Sequence, residues 1–343
     1  MGLRKRIVSI LLTGLFAVSF AGCSANNQQN SVSAEDKGAL KGQITIYTSQ
    51  PEADIQALLE SFNKVYPDIQ ANVFRSGTEE VVSKVLAEKE ANAVLADVLL
   101  VADAATFEGL KAKELLMSYA SPELKGISSD FYDAENTYTG TKIITTGIIV
   151  NKEMIKEPVE SLADLMKERF KNNIIMPSPL YSGAAAYNLS VITRSQGLGW
   201  EFYEALKGNQ VTVEKGNGAV QKAVVAGEKG SGMIVDYMAI RAKEEGAPVE
   251  FIYPKEGSLI ITEPVAIIKG TKKEKLAQTF VDFILSEEGQ KATAEIGYTP
   301  IKSGVSAPEG FKNADEIRNL TYPLDVLVTN RDADKEKFSK LFE

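Results

Sequence analysis

The residues Pro177-Ser178-Pro179-Leu180-Tyr181-Ser182-Gly183 run directly into an alanine-rich stretch that begins at Ala184. A serine and a glycine at the head of a helix make a site for an anion. The first-turn N–H groups have no intrahelical acceptors, and the macrodipole places about half a positive charge there. Ser182 adds a hydroxyl donor, Gly183 lets an anion come close to the backbone, and no acidic residue lies between Pro177 and Trp200. Without a ligand, the same serine reads as a plain N-cap. Similar donors stand at other turns: Ser49, Ser76-Gly77-Thr78, and Asn217 between two glycines. Ordinary turn and capping chemistry is the competing reading of each. Asp236, followed by Tyr237, and Glu256 carry carboxylates, which suit sugar hydroxyls or an ammonium group better than a bare phosphate. For Glu256 a solvated loop acid is the plainer alternative, and Tyr237 alone reads as a cleft aromatic or a core residue.

Two absences remove most catalytic chemistry. The 343-residue chain has no histidine and one cysteine, Cys23. It therefore has no imidazole base, no Ser-His or Cys-His pair, no His-ligated metal, no intramolecular disulfide and no thiolate cluster. Ser61-Phe62-Asn63-Lys64 matches a bare S-x-x-K, but Phe62 belongs to an apolar helix stripe and no companion motif is present. No phosphate-cradling G-x-x-x-x-G-K run occurs, and Gly216-x-Gly218 lacks the third glycine of a dinucleotide fingerprint. A secreted phosphatase or phosphotransferase would want a metal–carboxylate cluster, for which Asp97, Asp103 and Asp236 are too dispersed. Lys+Arg 38 against Asp+Glu 46, with no basic cluster beyond the first residues, argues against nucleic acid as a partner. The charged runs Lys269–Lys275 and Arg331–Lys337 read as solvated surface.

The N-terminus reads as an export signal. Arg4-Lys5-Arg6 precedes an apolar run from Ile7 to Ala21, too short for a single-span anchor. Phe20-Ala21-Gly22-Cys23 is similar to the bacterial lipobox, whose cysteine is lipidated and becomes the mature N-terminus, although that pattern usually has Leu where Phe20 stands. Residues 1–22 are thus expected to be a lipoprotein signal peptide, with lipid such as palmitate on Cys23. Residues 23–42, polar and poor in large apolar side chains, are expected to be a flexible tether.

In the body, 44% hydrophobic and 24% charged residues describe a folded chain, and its length suits two domains. Residues 43–48 and 69–74 read as strands, each followed by a turn and an amphipathic helix. Ala96 to Val101 is a continuous apolar run, as in a buried parallel strand. The order recurs in residues 173–176, 211–213 and 231–235, each again leading into a helix. Strand–loop–helix alternation predicts doubly wound α/β architecture with ligand groups at the carboxyl ends of strands. Lys142–Val150 and Ser258–Ile268 read as extended crossovers joining two lobes.

These segments, in their order and spacing, resemble the extracellular solute-binding proteins of bacterial ABC importers, in the ferric-binding-protein-like branch. The residues that carry the resemblance are IYTSQPE at 46–52, ADVLLVADAATF at 96–107, TTGIIVNKE at 145–153, PLYSGAAAY at 179–187, GMIVDYMA at 232–239 and FILSEEGQKATAEIGYTPIKSGV at 283–305, which together span residues 43–305. The resemblance implies the type II periplasmic-binding-protein fold, with two lobes closing on a ligand in the cleft. Lobe 1 is expected to comprise 43–146 plus 264–300, and lobe 2 to comprise 147–263 plus 301–343. It also implies a non-enzymatic, monomeric carrier without a cofactor, held at the outer face of the cell membrane. The partners it implies are a permease with its ATPase. Iron-binding members use a His, a Glu and two consecutive Tyr, which fall here on Pro51, Ala102, Tyr237 and Met238. Three of the four are unsuited to a hard cation. Their anion site matches Ser182-Gly183-Ala184. The expected cargo is therefore a small phosphorylated or phosphonate solute bound by Ser49, Ser76, Gly77, Thr78, Ser182, Gly183, Ala184, Asn217, Asp236, Tyr237 and Glu256, with no metal site. Ferric iron is the alternative.

Overall fold

The computed structural model describes residues 40–342. The expected signal peptide, Cys23 and most of the expected tether lie outside the described residues. The chain opens with β1 (Gly42–Thr48), α1 (Glu52–Val65), β2 (Ile69–Arg75), α2 (Thr78–Glu90), β3 (Val98–Leu100), α3 (Ala104–Ala112), β4 (Leu116–Met117) and β5 (Thr139–Asn151). It continues through β6 (Ile174–Pro177), α4 (Gly183–Ile192), α5 (Gly199–Gly208), β7 (Thr212–Glu214), α6 (Asn217–Val225), β8 (Ser231–Val235), α7 (Asp236–Glu244) and β9 (Val249–Ile252). It ends with β10 (Leu259–Ile268), α8 (Glu274–Leu285), α9 (Glu287–Glu295) and α10 (Leu324–Phe342).

The strands order as β2-β1-β3-β10-β5-β8-β6-β7, with β4 on β10 and β9 on β5. β1 pairs in parallel with β2 and β3, and β6 with β7 and β8, giving one doubly wound lobe at each end. The two expected crossovers are β5 and β10, which run antiparallel side by side at the centre. All thirteen residues of β5 are buried. Its first half pairs with β10 and its second half with β8 and β9, so the strand passes from one lobe into the other.

Each lobe is built on alternation. Ile44 and Ile46 of β1 pack on one face with Phe62 of α1 and Phe280 of α8, while Tyr47 packs on the other with Val85 and Phe107. The Phe62 ring meets Phe280 edge-on, 5.2 Å between centroids. In the second lobe every residue of α4 is buried, which explains its alanines: small side chains let a helix be covered on all sides. α10 provides part of that cover through Leu327 and Phe338.

Two charged segments depart differently from the solvated reading. Most of Lys269–Lys275 is exposed, with Lys273 paired to Asp97 at 3.0 Å. In Arg331–Lys337, however, Arg331 and Asp334 are buried. Their charges are matched there, Arg331 by Asp103 and Glu79 and Asp334 by Arg194. The sequence reading also did not foresee α5, or α10 as a single nineteen-residue helix.

Because Phe62 is fully buried among aromatic partners, Phe62→Ala should cost about 3–5 kcal/mol. It would appear as an earlier urea midpoint for the first lobe. A midpoint equal to the parent's would refute this account of the core.

Candidate functional site

The lobes face each other across an open cavity of about 350 Å³. From the first lobe it is lined by Ser49 and Pro51 after β1, Arg75, Gly77 and Thr78 between β2 and α2, and Ala102 after β3. From the second lobe come Tyr181 to Ala184 at the head of α4, Lys215 to Ala219 and Lys222 around the head of α6, and Val235, Tyr237 and Met238 between β8 and α7. Ile144, Ile261 and Glu263 of the central strands form its floor. Three helix heads, those of α2, α4 and α6, thus converge on one space.

The lobes meet across this cavity. The Glu79 N–H donates to the Tyr181 carbonyl at 3.3 Å. A Cβ placed on Gly183 would lie 2.7 Å from the Ala102 carbonyl oxygen and 2.8 Å from the Thr78 hydroxyl. One on Gly77 would lie 2.6 Å from the Tyr181 ring. Gly183 is required by this close approach to backbone, a requirement separate from ligand access, whereas a side chain at Gly77 would have to displace the Tyr181 ring.

Of the residues expected at the site, Ser49, Gly77, Thr78, Ser182, Gly183, Ala184, Asn217 and Tyr237 line the cavity. Ser182 also caps α4, its hydroxyl accepting from the Ala185 N–H at 3.3 Å, and the side-chain amide oxygen of Asn217 accepts from the Val235 N–H at 3.3 Å. Three residues lie apart from the lining. Ser76 donates its hydroxyl to Glu80. Glu256 accepts from the N–H groups of Leu162 and Ala163 at 3.3 and 3.2 Å, capping the short helical turn Leu162–Met166. Asp236 turns into the head of its own helix, accepting from the Tyr237 N–H at 2.8 Å. Burial pushes the Asp236 carboxyl up to about 7, against the backbone N–H groups of Thr145 and Tyr237 that favour its charge.

The carboxylate in the cavity is instead Glu263. It forms a buried ion pair with Lys142 at 2.6 Å and accepts from Gln50 at 2.8 Å and Ser49 at 3.4 Å. The β5–β10 register shifts between Thr262 and Pro264, and a bulge of this kind re-aims a side chain. A sequence signal existed: Glu263-Pro264 is the one acid and the one N–H-lacking residue in the apolar strand LIITEPVAII. The cavity cations were also missed. Arg75 is anchored by its Nε to the Gln50 carbonyl at 2.9 Å. Lys215 pairs with Glu80 at 2.9 Å and lies 4.4 Å from the Tyr181 ring centroid. In sequence, isolated surface charges carry no sign of their direction.

All four positions at which the resemblance places iron ligands, Pro51, Ala102, Tyr237 and Met238, line the cavity. Burial, with Asp54 and Glu263 adding, pushes the Tyr237 hydroxyl above its ordinary range, so the phenol stays protonated at neutral pH. Among the described residues no group of three or more acidic side chains is placed to hold a metal ion. Nor, among them, is any helix long and apolar enough to cross a membrane.

Two lobes thus face each other across a cavity and are joined by two antiparallel strands. Residues 93–323 match the family described as "Bacterial extracellular solute-binding protein", and the chain belongs to that family. An uncharacterized protein of Haemophilus influenzae is 29% identical over 269 residues, covering 73% of this chain and 75% of its own. The Fe(3+)-binding periplasmic protein of Serratia marcescens is 23% identical, covering 72% and 75%. The spermidine/putrescine-binding periplasmic protein 1 of Haemophilus influenzae is 25% identical, covering 60% and 63%. In fold, the chain is similar to the periplasmic binding protein AfuA from Actinobacillus pleuropneumoniae with fructose-6-phosphate bound (TM-score 0.81, 24% identity, 88% and 98% covered). It is also similar to iron-bound HitA from Pseudomonas aeruginosa (TM-score 0.76, 23% identity, 86% and 99% covered). The protein is therefore the extracytoplasmic binding component of an ABC importer.

The Asp236 carboxyl holds its proton more tightly folded than unfolded, so its burial makes stability fall as pH rises from about 4 to about 7, with no further change above. Asp236→Asn should remove that slope. Melting temperatures of parent and variant from pH 4 to 8 check it, and a pH-independent difference between them would overturn it.

Proposed function

We propose that the protein captures a small phosphorylated or phosphonate solute with a hydroxylated body and presents it, unaltered, to a membrane permease. One observation carries this reading: three helix heads and the cations Arg75, Lys222 and Lys215, the last paired with Glu80, converge on one cavity whose only lining acid among the described residues, Glu263, is already paired with Lys142. Unpaired first-turn N–H groups and guanidinium or ammonium groups all favour a negative head. Glu263 on the floor, with Ser49 beside it, suits hydroxyls at the other end. A polyamine would meet like charges at those heads, and ferric iron would meet Pro51, Ala102 and Met238 where anionic donors are needed. The reading also includes the two lobes divided as expected from sequence, a monomer, and a lipid-anchored N-terminus at Cys23.

Calorimetric titration with fructose 6-phosphate, inorganic phosphate, spermidine and ferric citrate tests the cargo. A phosphate ester should bind, more weakly as salt rises. Spermidine binding, or a visible tyrosinate-to-iron band with ferric salt, would refute the proposal. Arg75→Ala should weaken the phosphate ester about tenfold or more, since a charge-assisted bond is worth about 1.5–3 kcal/mol. Glu263→Gln should weaken fructose 6-phosphate and spare inorganic phosphate; equal losses on both would remove the carboxylate from recognition of the ligand body. For the anchor, cells expressing the protein should incorporate labelled palmitate, and Cys23→Ser should abolish it and release the protein from membranes. Label persisting in the variant would end the lipoprotein reading.

A further inference from the structure

α10 belongs by packing to the second lobe, yet it holds the first. On the second-lobe side, Asp334 accepts from Arg194 at 2.6 and 3.2 Å and from Ser190 of α4 at 2.9 Å. Phe338 packs edge-on against Tyr203 of α5, 5.8 Å between centroids. On the other side, buried Arg331 donates to Asp103 at 3.1 Å, to Thr106 at 3.0 Å and to Glu79 at 2.8 Å. Lys335 donates to the second Glu79 oxygen at 2.9 Å. Asp103 follows the cavity-lining Ala102 and caps α3, and Glu79 follows the cavity-lining Thr78. One guanidinium therefore ties together two first-lobe loops that touch the cavity, from a helix seated on the second lobe.

We propose that Arg331 is a positioning residue for ligand capture: it clasps the head of α2 and the head of α3 when the lobes close, and so fixes the closed angle at the cavity. The two cations face two first-lobe carboxylates, and Lys335 also meets Asp332 of its own helix at 3.2 Å. Directed bonds of a guanidinium fork specify geometry more than they add strength, because both partners regain water when parted. The clasp sits beside the inter-lobe bond from Glu79 N–H to the Tyr181 carbonyl, so losing it frees that bond first.

Hydrogen exchange of the ligand-free protein tests the clasp without reference to cargo. In Arg331→Met the Glu79 amide should exchange about tenfold faster while the strand amides of β1 and β6 keep their protection. Arg331→Lys, which keeps the charge but not the fork, should restore part of it. Unchanged exchange at Glu79 overturns the clasp. So does faster exchange throughout β6 and β8, which would make Arg331 a support of the lobe only. Should Arg331→Met not fold, Glu79→Ala removes the two bonds that the Glu79 carboxylate accepts and is read at the same amide. A kinetic arm, which rests on the proposed cargo, expects fructose 6-phosphate to leave Arg331→Met about tenfold faster with association changed less than about twofold. If the exchange result holds and fructose 6-phosphate does not bind the parent, the clasp stands and the cargo reading falls. If the parent binds it and dissociation is unaltered in the variant, the clasp falls and the cargo reading stands.

Discussion

Peptide N–H groups at the start of a helix have no partner within it, and in this protein three such starts line one cleft. Their alignment depends on parallel strands on both sides of the cleft, because only strands running the same way deliver their following helices to the same edge. The central pair β5 and β10 then sets the two edges face to face. Glycines at 77 and 183 follow from this arrangement, as do small residues at 102 and 184 and the absence of acid around the head of α4.

Most of the architecture was legible because burial is periodic. Alternation in Ile44–Ile46, the continuous run at Val98–Leu100 and the stripe Ile55, Leu58, Leu59, Phe62 each specify an element. The lining that comes from backbone and small residues was legible for the same reason, since Ser182-Gly183 can sit only where its strand and helix put it. Charged residues were not. Asp236 and Tyr237 are neighbours, but at a helix head one side chain folds back on its own amides while the next faces the cleft. Glu256 and Glu263 are seven residues apart, yet the first caps a turn from the loop before β10 while the second stands at the register shift within that strand. Arg331 lies in a sequence as polar as any surface, and only the distant Asp103 and Glu79 make its burial tolerable.

Glu263 unites two functions in one position. It lies where β10 bulges, so the element that carries the carboxylate into the cavity is also the one that joins the lobes. Lys142 opposite it, on β5, stacks 4.7 Å from the Tyr298 ring centroid, and Tyr298 in turn pairs with Tyr237 at 4.5 Å. Arg241 covers both rings and reaches Asp54 of the first lobe at 2.9 Å. The floor of the cavity is thus continuous with aromatic and charged contacts that link α7 to α1.

The contact of Gly183 with the Ala102 carbonyl leaves no slack between the shells of the clam. The same contact stops the jaws from closing any further, because backbone meets backbone there, so a guest bulkier than the chamber must hold them apart. The glycine thereby sets the narrowest bite: small cargo fits within it, whereas an oligomer or a polymer end wedges the jaws apart and leaves the outline that a transporter would meet visibly different.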